Sequence, residues 1–408
     1  MKYRPDLLAS DAPPGVEVYQ LTTGELPSSH IYMEAQIFHP DSRRFLLHES
    51  AHPHGSDKLD PKHRYLVCDL DDDCALRPLT TATGATAPSV SPDGSYVYYF
   101  IDQTEPGGGS LTLKRVGLDG SDCVELLTVE APLPGTDYYP SRLYPLSTIR
   151  ADGGKIALSC FLGDGHTAGA PWGLMVFDLE NPAVELVLVG PSWCNMHPQY
   201  SRSSDPDIMR DILVQENHGN QVDTFGQFTK LVGGSGADIH VIRDDGTHFR
   251  DMPWGRDGNE FCQGHQCWRG TSTWAITSTG TREPAEQQLI ESLPVAASDH
   301  LGLTAPGGRR NHLSRCFTQP SFYHFATDID GRRLISDTGP RDQGGRVFIA
   351  DFGTAGEDAL VNWTCIANPK SSWTKEAHIH PFLSPDGKHG FFNSDESGVL
   401  QAYMLSKF

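Results

Sequence analysis

Several things are scarce in this sequence, and each scarcity removes a class of protein. No apolar run in the 408 residues approaches the roughly 20 that a transmembrane helix needs, so no membrane span or membrane partner is expected. The opening stretch, Met1 to Ser10, lacks the apolar core of a signal peptide. The nine cysteines (68, 74, 123, 160, 194, 262, 267, 316 and 365) are odd in number, scattered, and without a Cys-x-x-Cys pair. Reduced thiols in a cytoplasmic protein are therefore expected rather than a disulfide framework. Positive charge is also short: 32 Lys and Arg stand against 52 Asp and Glu, a net charge of −20. A nucleic-acid partner would need a basic footprint, so that class is disfavoured. The same charge repels an anionic substrate unless the site brings its own cation. Helical periodicity is nearly absent, and only Arg282 to Glu291 fits a short helix.

What is present is punctuation. The 41 glycines and 29 prolines are spread along the chain, as many turns between short strands would require. One pattern recurs about every 50 to 65 residues: an extended run, a turn, then an apolar strand. The turns are His39-Pro40-Asp41-Ser42, Ser91-Pro92-Asp93-Gly94, Arg150-Ala151-Asp152-Gly153, the looser Ser203 to Asp207, Arg269-Gly270-Thr271, Asp330-Gly331-Arg332 and Ser384-Pro385-Asp386-Gly387. In Pro-Asp-Gly, Pro presets φ, Asp bonds its own backbone and Gly takes positive φ. Most copies continue into a further strand that ends on Asp, such as Tyr65 to Leu70, Leu174 to Asp178 or Val347 to Asp351. Seven copies of about four strands predict an all-β, seven-bladed β-propeller forming one domain over residues 1–408. After the last turn only two more strands fit, and Val16 to Leu21 precedes the first copy as a spare. That N-terminal strand is expected to join the last blade and close the ring. Ala51 to Pro61 and Asn217 to Gly236 read as surface loops. No helix face or apolar edge stands out as a dimer surface, so a monomer is expected.

In a propeller the first strand of each blade lines the central channel. The residues just before the turns therefore converge there from different blades. They are His30, Tyr144, His197, His265, His324, and His378 with His380. Eighteen histidines would seldom scatter by chance to the start of the inner strand in five of seven blades. In Ala377-His378-Ile379-His380-Pro381, an extended backbone would put both imidazoles on one face. Together with His324 they form a candidate metal site with open positions, since neutral imidazole is the commonest protein ligand for divalent transition metals. Channel histidines that only bond one another and water are the alternative. Cys262 and Cys267, flanking His265, read as packing residues.

At this level the chain resembles the oligogalacturonate lyases, seven-bladed propellers that cleave short pectin-derived uronides by β-elimination with a divalent metal, usually manganese. The residues that carry the resemblance are Ser372-Trp373 followed by His378-Ile379-His380-Pro381 and the Ser384 to Gly387 turn, His324 six residues before Asp330-Gly331, His265-Gln266-Cys267-Trp268, and His197-Pro198. The resemblance implies that His324, His378 and His380 hold a divalent metal, most often Mn2+. It implies that His265 is the base and that an acidic oligosaccharide is the partner; His197, His30 and Tyr144, which converge on the same channel, are the candidates for substrate contact. Three positions depart from the family pattern. Lys375 stands where the family has a Gln ligand, Asp238 where it has an Arg at the substrate, and Ile31 where an Arg follows the first blade's His. Two other readings remain: a lyase for a different acidic oligosaccharide, and a non-catalytic TolB-like binding propeller. A propeller peptidase is excluded, because there is no Gly-x-Ser-x-Gly elbow and no length for a hydrolase domain.

Overall fold

The computed structural model describes residues 1–50, 60–230, 236–255, 260–281, 286–296, 308–339, 345–356 and 361–408. The repeated turn is built as its chemistry requires. In Ser91 to Gly94 the Gly94 N–H donates to the Ser91 carbonyl at 2.8 Å, and the Ser91 hydroxyl donates to Asp93 at 2.6 Å. Gly94 has φ +74°, and a Cβ there would lie 2.1 Å from a ring carbon of His39 in the neighbouring blade. Only glycine fits both constraints. Ser384 to Gly387 repeats the arrangement, with Gly387 N–H to Ser384 O at 2.9 Å and Gly387 at φ +67°.

Each turn joins the first and second strands of an antiparallel sheet, and seven such sheets form the ring. The first strands are Ser28–His30, Ala85–Val90, Arg142–Ile149, Gln199–Tyr200, Phe261–Trp268, Phe322–Thr327 and Phe382–Leu383. First strands of neighbouring blades touch each other, for example Ala85–Val90 with Arg142–Ile149 and Phe261–Trp268 with Phe322–Thr327, so they line the centre. The core lies between blades: Phe45 of blade one packs on Phe391 of blade seven with ring centres 4.8 Å apart. Each such aromatic removed from water contributes roughly 1.5–3 kcal/mol.

Two expectations are corrected. The short helix expected at Arg282 to Glu291 is a strand over its described part. Glu286–Ser292 pairs along Ala275–Thr281 as the third strand of blade five and buries Leu289 and Ile290. Ladder pairing and burial outweigh the local helical spacing. The Asn217 to Gly236 insertion is not a plain loop. It carries a hairpin, Gln221–Val222 with Phe228–Lys230, and Phe228 stacks on Trp172 at 5.8 Å. Of the other insertion, residues 51–59 lie outside the described residues. Among the described residues no helix is long and apolar enough to cross a membrane.

The ring closes as the sequence implies. Glu17–Gln20 pairs antiparallel with Gln401–Ser406, and Lys2–Tyr3 adds outside it. An ionic clamp reinforces the join. The Arg4 guanidinium takes both oxygens of Glu396, and the Tyr403 hydroxyl donates to the same carboxylate at 2.6 Å. The Arg4 hydrogen bond holds the Glu396 carboxyl below its ordinary value. A carboxylate lowered in this way stabilises the fold fully above its unfolded pKa and loses that contribution as the pH falls through its folded pKa. Glu396→Gln is therefore expected to cost about 1–3 kcal/mol at pH 7, because a nearly buried guanidinium loses one of its two carboxylate partners and keeps only Asp6. In thermal melts the gap from the wild type should close as the pH falls below about 4. A gap that stays constant as the pH is lowered through the carboxylate range would contradict the clamp.

Candidate active site

The inner strands share a break at one level. Pairing with the second strand slips between Thr86 and Ser89, Leu143 and Ser147, Cys262 and Gln266, and Phe322 and Phe325. In blades four and seven regular pairing begins only at Gln199 and Phe382, just past His197-Pro198 and His380-Pro381. Proline has no N–H for the ladder, and bulges re-aim side chains. Tyr144, followed by Pro145, and His265 and His324 lie inside such slips. Ala87, His197 and His380 each precede a proline and take positive φ of 49°, 50° and 43°. A non-glycine residue held there costs on the order of 1 kcal/mol or more. His378 and His380 therefore converge through a left-handed residue at His380, not along a flat strand. Blade two shows the same break with Ala87 and brings no chemistry to it.

The break gathers imidazoles. One ring nitrogen from each of His324, His378 and His380 lies within 4.8 Å of the others. The His324 and His380 rings are 4.1 Å apart and perpendicular. His324 Nδ1 donates to Asp337 at 2.7 Å, and the His324 backbone N–H donates to the other oxygen at 2.8 Å. That pair leaves His324 Nε2 as the nitrogen able to ligate, in the carboxylate–histidine arrangement that fixes metal-bound imidazoles elsewhere. Burial pushes His324 well below its ordinary pKa and lowers His378, so both offer a lone pair near neutral pH. Burial also pushes the Asp337 carboxyl well up, against the His324 and His380 backbone N–H groups. A cation on the adjoining imidazoles would hold it ionised. Trp373 walls the cage, with its ring 4.8 Å from His378 and 5.7 Å from His324. The donor set fits a divalent transition metal.

His265 stands next to the cage, its ring 4.6 Å from His324 and 6.2 Å from His197. Burial, with His324, His197 and His378 nearby, pushes it well below its ordinary pKa, so it is unprotonated near neutral pH. Opposite lies a second chain of contacts. His197 Nδ1 meets Glu34 at 2.9 Å, and the Tyr144 hydroxyl reaches His197 Nε2 at 3.1 Å. Tyr32 bridges the two groups, its ring 5.4 Å from His197 and 4.6 Å from His380. Burial pushes both tyrosines well above their ordinary pKa, so they remain phenols.

His30 is not brought into this group. It is fully buried between Phe45, Phe382 and Phe391, with Nε2 against the Tyr403 carbonyl at 3.0 Å. Blade one leaves its ladder after His30 and returns at Phe38, and Tyr32 and Glu34 on that excursion enter the channel instead. Lys375 is exposed in a short 3-10 turn. Asp238 pairs with His218 at 3.0 Å, beside Glu216, whose carboxylate meets His240 at 3.3 Å. Cys262 and Cys267 are buried in core clusters.

No protein-family model matches the chain, and no curated protein matches it in sequence. Solved structures do match in shape. An oligogalacturonate lyase in complex with manganese superposes with a TM-score of 0.70 at 17% identity, covering 98% of this chain and 95% of that one. An oligogalacturonate lyase from Vibrio parahaemolyticus gives 0.68 at 15% identity, covering 98% and 96%. A prolyl endopeptidase gives 0.50 at 13% identity over 95% of this chain but 50% of that one. These likenesses establish the seven-bladed fold, which proteins of different activity share.

Asp337 is isosteric with Asn. Asp337→Asn is expected to weaken divalent-metal binding by about 10–100-fold, read by titrating manganese as a probe into metal-stripped protein. Unchanged affinity would contradict the role given to the carboxylate.

Proposed function

We propose that the protein is a metal-dependent lyase that cleaves short uronate oligosaccharides, of the oligogalacturonate kind, by β-elimination to 4,5-unsaturated products. The observation that carries this reading is the three-histidine cage with the unprotonated His265 imidazole beside it. The support from shape is the near full-length likeness to two oligogalacturonate lyases.

In this reading His324, His378 and His380 hold the ion, and manganese is proposed because a structural neighbour carries it. A bound divalent ion supplies Lewis-acid stabilisation to the substrate carboxylate, on which charge builds as the C5 proton leaves. It is also the local cation that a chain of net charge −20 needs to hold an anion. His265 takes the C5 proton, the C4–O bond breaks as the C4–C5 double bond forms, and the departing sugar oxygen takes a proton from water. The substrate's own negative charge, close to the His265 ring, raises its basicity during the reaction. His197, held by Glu34, and Tyr144 hydrogen-bond the sugar, while Tyr32 and Trp373 wall the site against water. His30, closed in by three phenylalanines, fixes the strand that leads into Tyr32. The protein is proposed to work as a cytoplasmic monomer.

A second reading, a lyase for a different acidic oligosaccharide, is favoured by one observation. Asp238, already bonded to His218, stands where a uronide carboxylate would meet an Arg in the family. A non-catalytic binding propeller would have no use for His265 next to the cage.

The roles separate experimentally. His265→Ala is expected to lower turnover of digalacturonate, measured as new reducing ends, by at least about 10²–10⁴-fold while leaving bound metal unchanged. His378→Ala should lose both. Loss of metal in His265→Ala would overturn the assignment of base and ligands.

A further inference from the structure

The far end of the channel holds a cavity of about 340 Å³. It lies beyond the histidine site along the same inner strands: Ala326 and Thr327 follow His324, and Phe382 and Leu383 follow His380. Its mouth is ringed by the repeated turns, through Pro40, Pro92, Ala151 and Pro385. Most of the wall is apolar, with Met33, Ile37, Phe38, Val90, Ile149 and Ile329 facing in. The volume suits a small ligand.

Polar side chains in the wall are already committed to the protein. Gln36 donates to Thr148 at 2.9 Å and accepts from the Ile149 N–H at 3.2 Å. The Ser91 hydroxyl donates to Asp93 at 2.6 Å. The Thr327 hydroxyl donates to the Trp268 carbonyl at 3.1 Å and accepts from the Gly270 N–H at 3.0 Å. Ser201 accepts from the Ser203 N–H at 3.2 Å.

Arg202 is different. Its one hydrogen bond among the described residues runs from Nη1 to the Thr327 carbonyl at 3.5 Å, the outer edge of a hydrogen bond, and it has no ion pair there. The ionisable groups that act on it are the Cys267 thiol and, more weakly, Asp328, whose Oδ1 already accepts from the Arg332 and Arg333 backbone N–H groups at 2.9 and 3.0 Å. A guanidinium offers five N–H donors in a planar fork that matches a carboxylate. In a chain with 20 more acidic than basic residues, a sheltered arginine without a carboxylate partner is an anomaly. Sheltered charges are otherwise paired.

We propose that this cavity is a second binding site, separate from the histidine centre, for a small organic anion with an apolar body. Its carboxylate pairs with the Arg202 fork, and its body rests on the wall formed by Ile37, Phe38, Val90 and Ile149. The site does not depend on the lyase reading, because no residue of the histidine cage takes part.

Benzoate is a suitable probe, and methyl benzoate is its uncharged match. Calorimetric titration and melting temperature would be followed for the full chain treated with chelator. Benzoate is expected to bind the wild type at one site and raise its melting temperature, with methyl benzoate at least tenfold weaker. Arg202→Met should lose at least tenfold in benzoate affinity, and His378→Ala should retain wild-type affinity. Ala151→Trp fills the mouth from a partly exposed position and leaves Arg202 in place, so it separates lost binding from lost fold; it too should lose benzoate. Equal benzoate affinity in the wild type and Arg202→Met would overturn the proposal. So would equal binding of the ester, loss of benzoate in His378→Ala, or no binding at millimolar concentration.

Discussion

Everything at the channel mouth depends on one interruption in backbone pairing. A β-ladder carried unbroken to the end of each inner strand would alternate its side chains between the two faces of the blade. It would leave none aimed along the channel. Here the ladder slips or starts late in six blades, and in blade one the chain leaves it from Ile31 to Ile37. Proline supplies much of the physics, since Ala87, Tyr144, His197 and His380 all precede one. The released residues pay little in lost pairing, because His197 and His380 turn towards the channel instead. Strain at positive φ is tolerated there because seven interlocked blades over-determine the backbone.

Burial then sets the charge state. An acidic chain surrounds a cage in which burial holds His324 and His378 below their ordinary pKa, and each buried carboxylate at the site is matched to one ring: Asp337 to His324 and Glu34 to His197. That matching fixes tautomers. With Nδ1 of each ring committed to a carboxylate, Nε2 of His324 faces the other two histidines and Nε2 of His197 faces Tyr144. In the proposed reading, two imidazoles of identical chemistry thus receive different tasks from their neighbours, one as ligand and one as a polar wall.

Much of this was legible in the residues. The Pro-Asp-Gly copies gave the period, and the spare strand at Val16 to Leu21 gave the closure, because turn chemistry and edge pairing are local properties. The histidines were legible because their register to each turn was regular. Tyr32 and Glu34 were not, because blade one departs from the register after His30, and nothing short-range marks an excursion of that kind. Asp337 was hidden for another reason. It sits on a second strand, and its pairing to His324 exists only once the sheet forms. The misread segment at Arg282 to Glu291 shows the same limit, since Leu289 and Ile290 are buried by neighbours far away in sequence. The Tyr-Pro and His-Pro pairs carry a further signal, as a proline inside an inner strand announces where the ladder must open.

The central claim is that the cage and His265 together perform β-elimination on a uronide. The most direct test is the ultraviolet absorbance of the purified protein mixed with digalacturonate, with and without added manganese. Elimination conjugates the new C4–C5 double bond with the carboxylate, so the product absorbs where saturated uronides do not. A metal-dependent rise is the predicted result. An absorbance that stays flat with digalacturonate and with other acidic oligosaccharides, in protein shown to carry metal, would contradict the account.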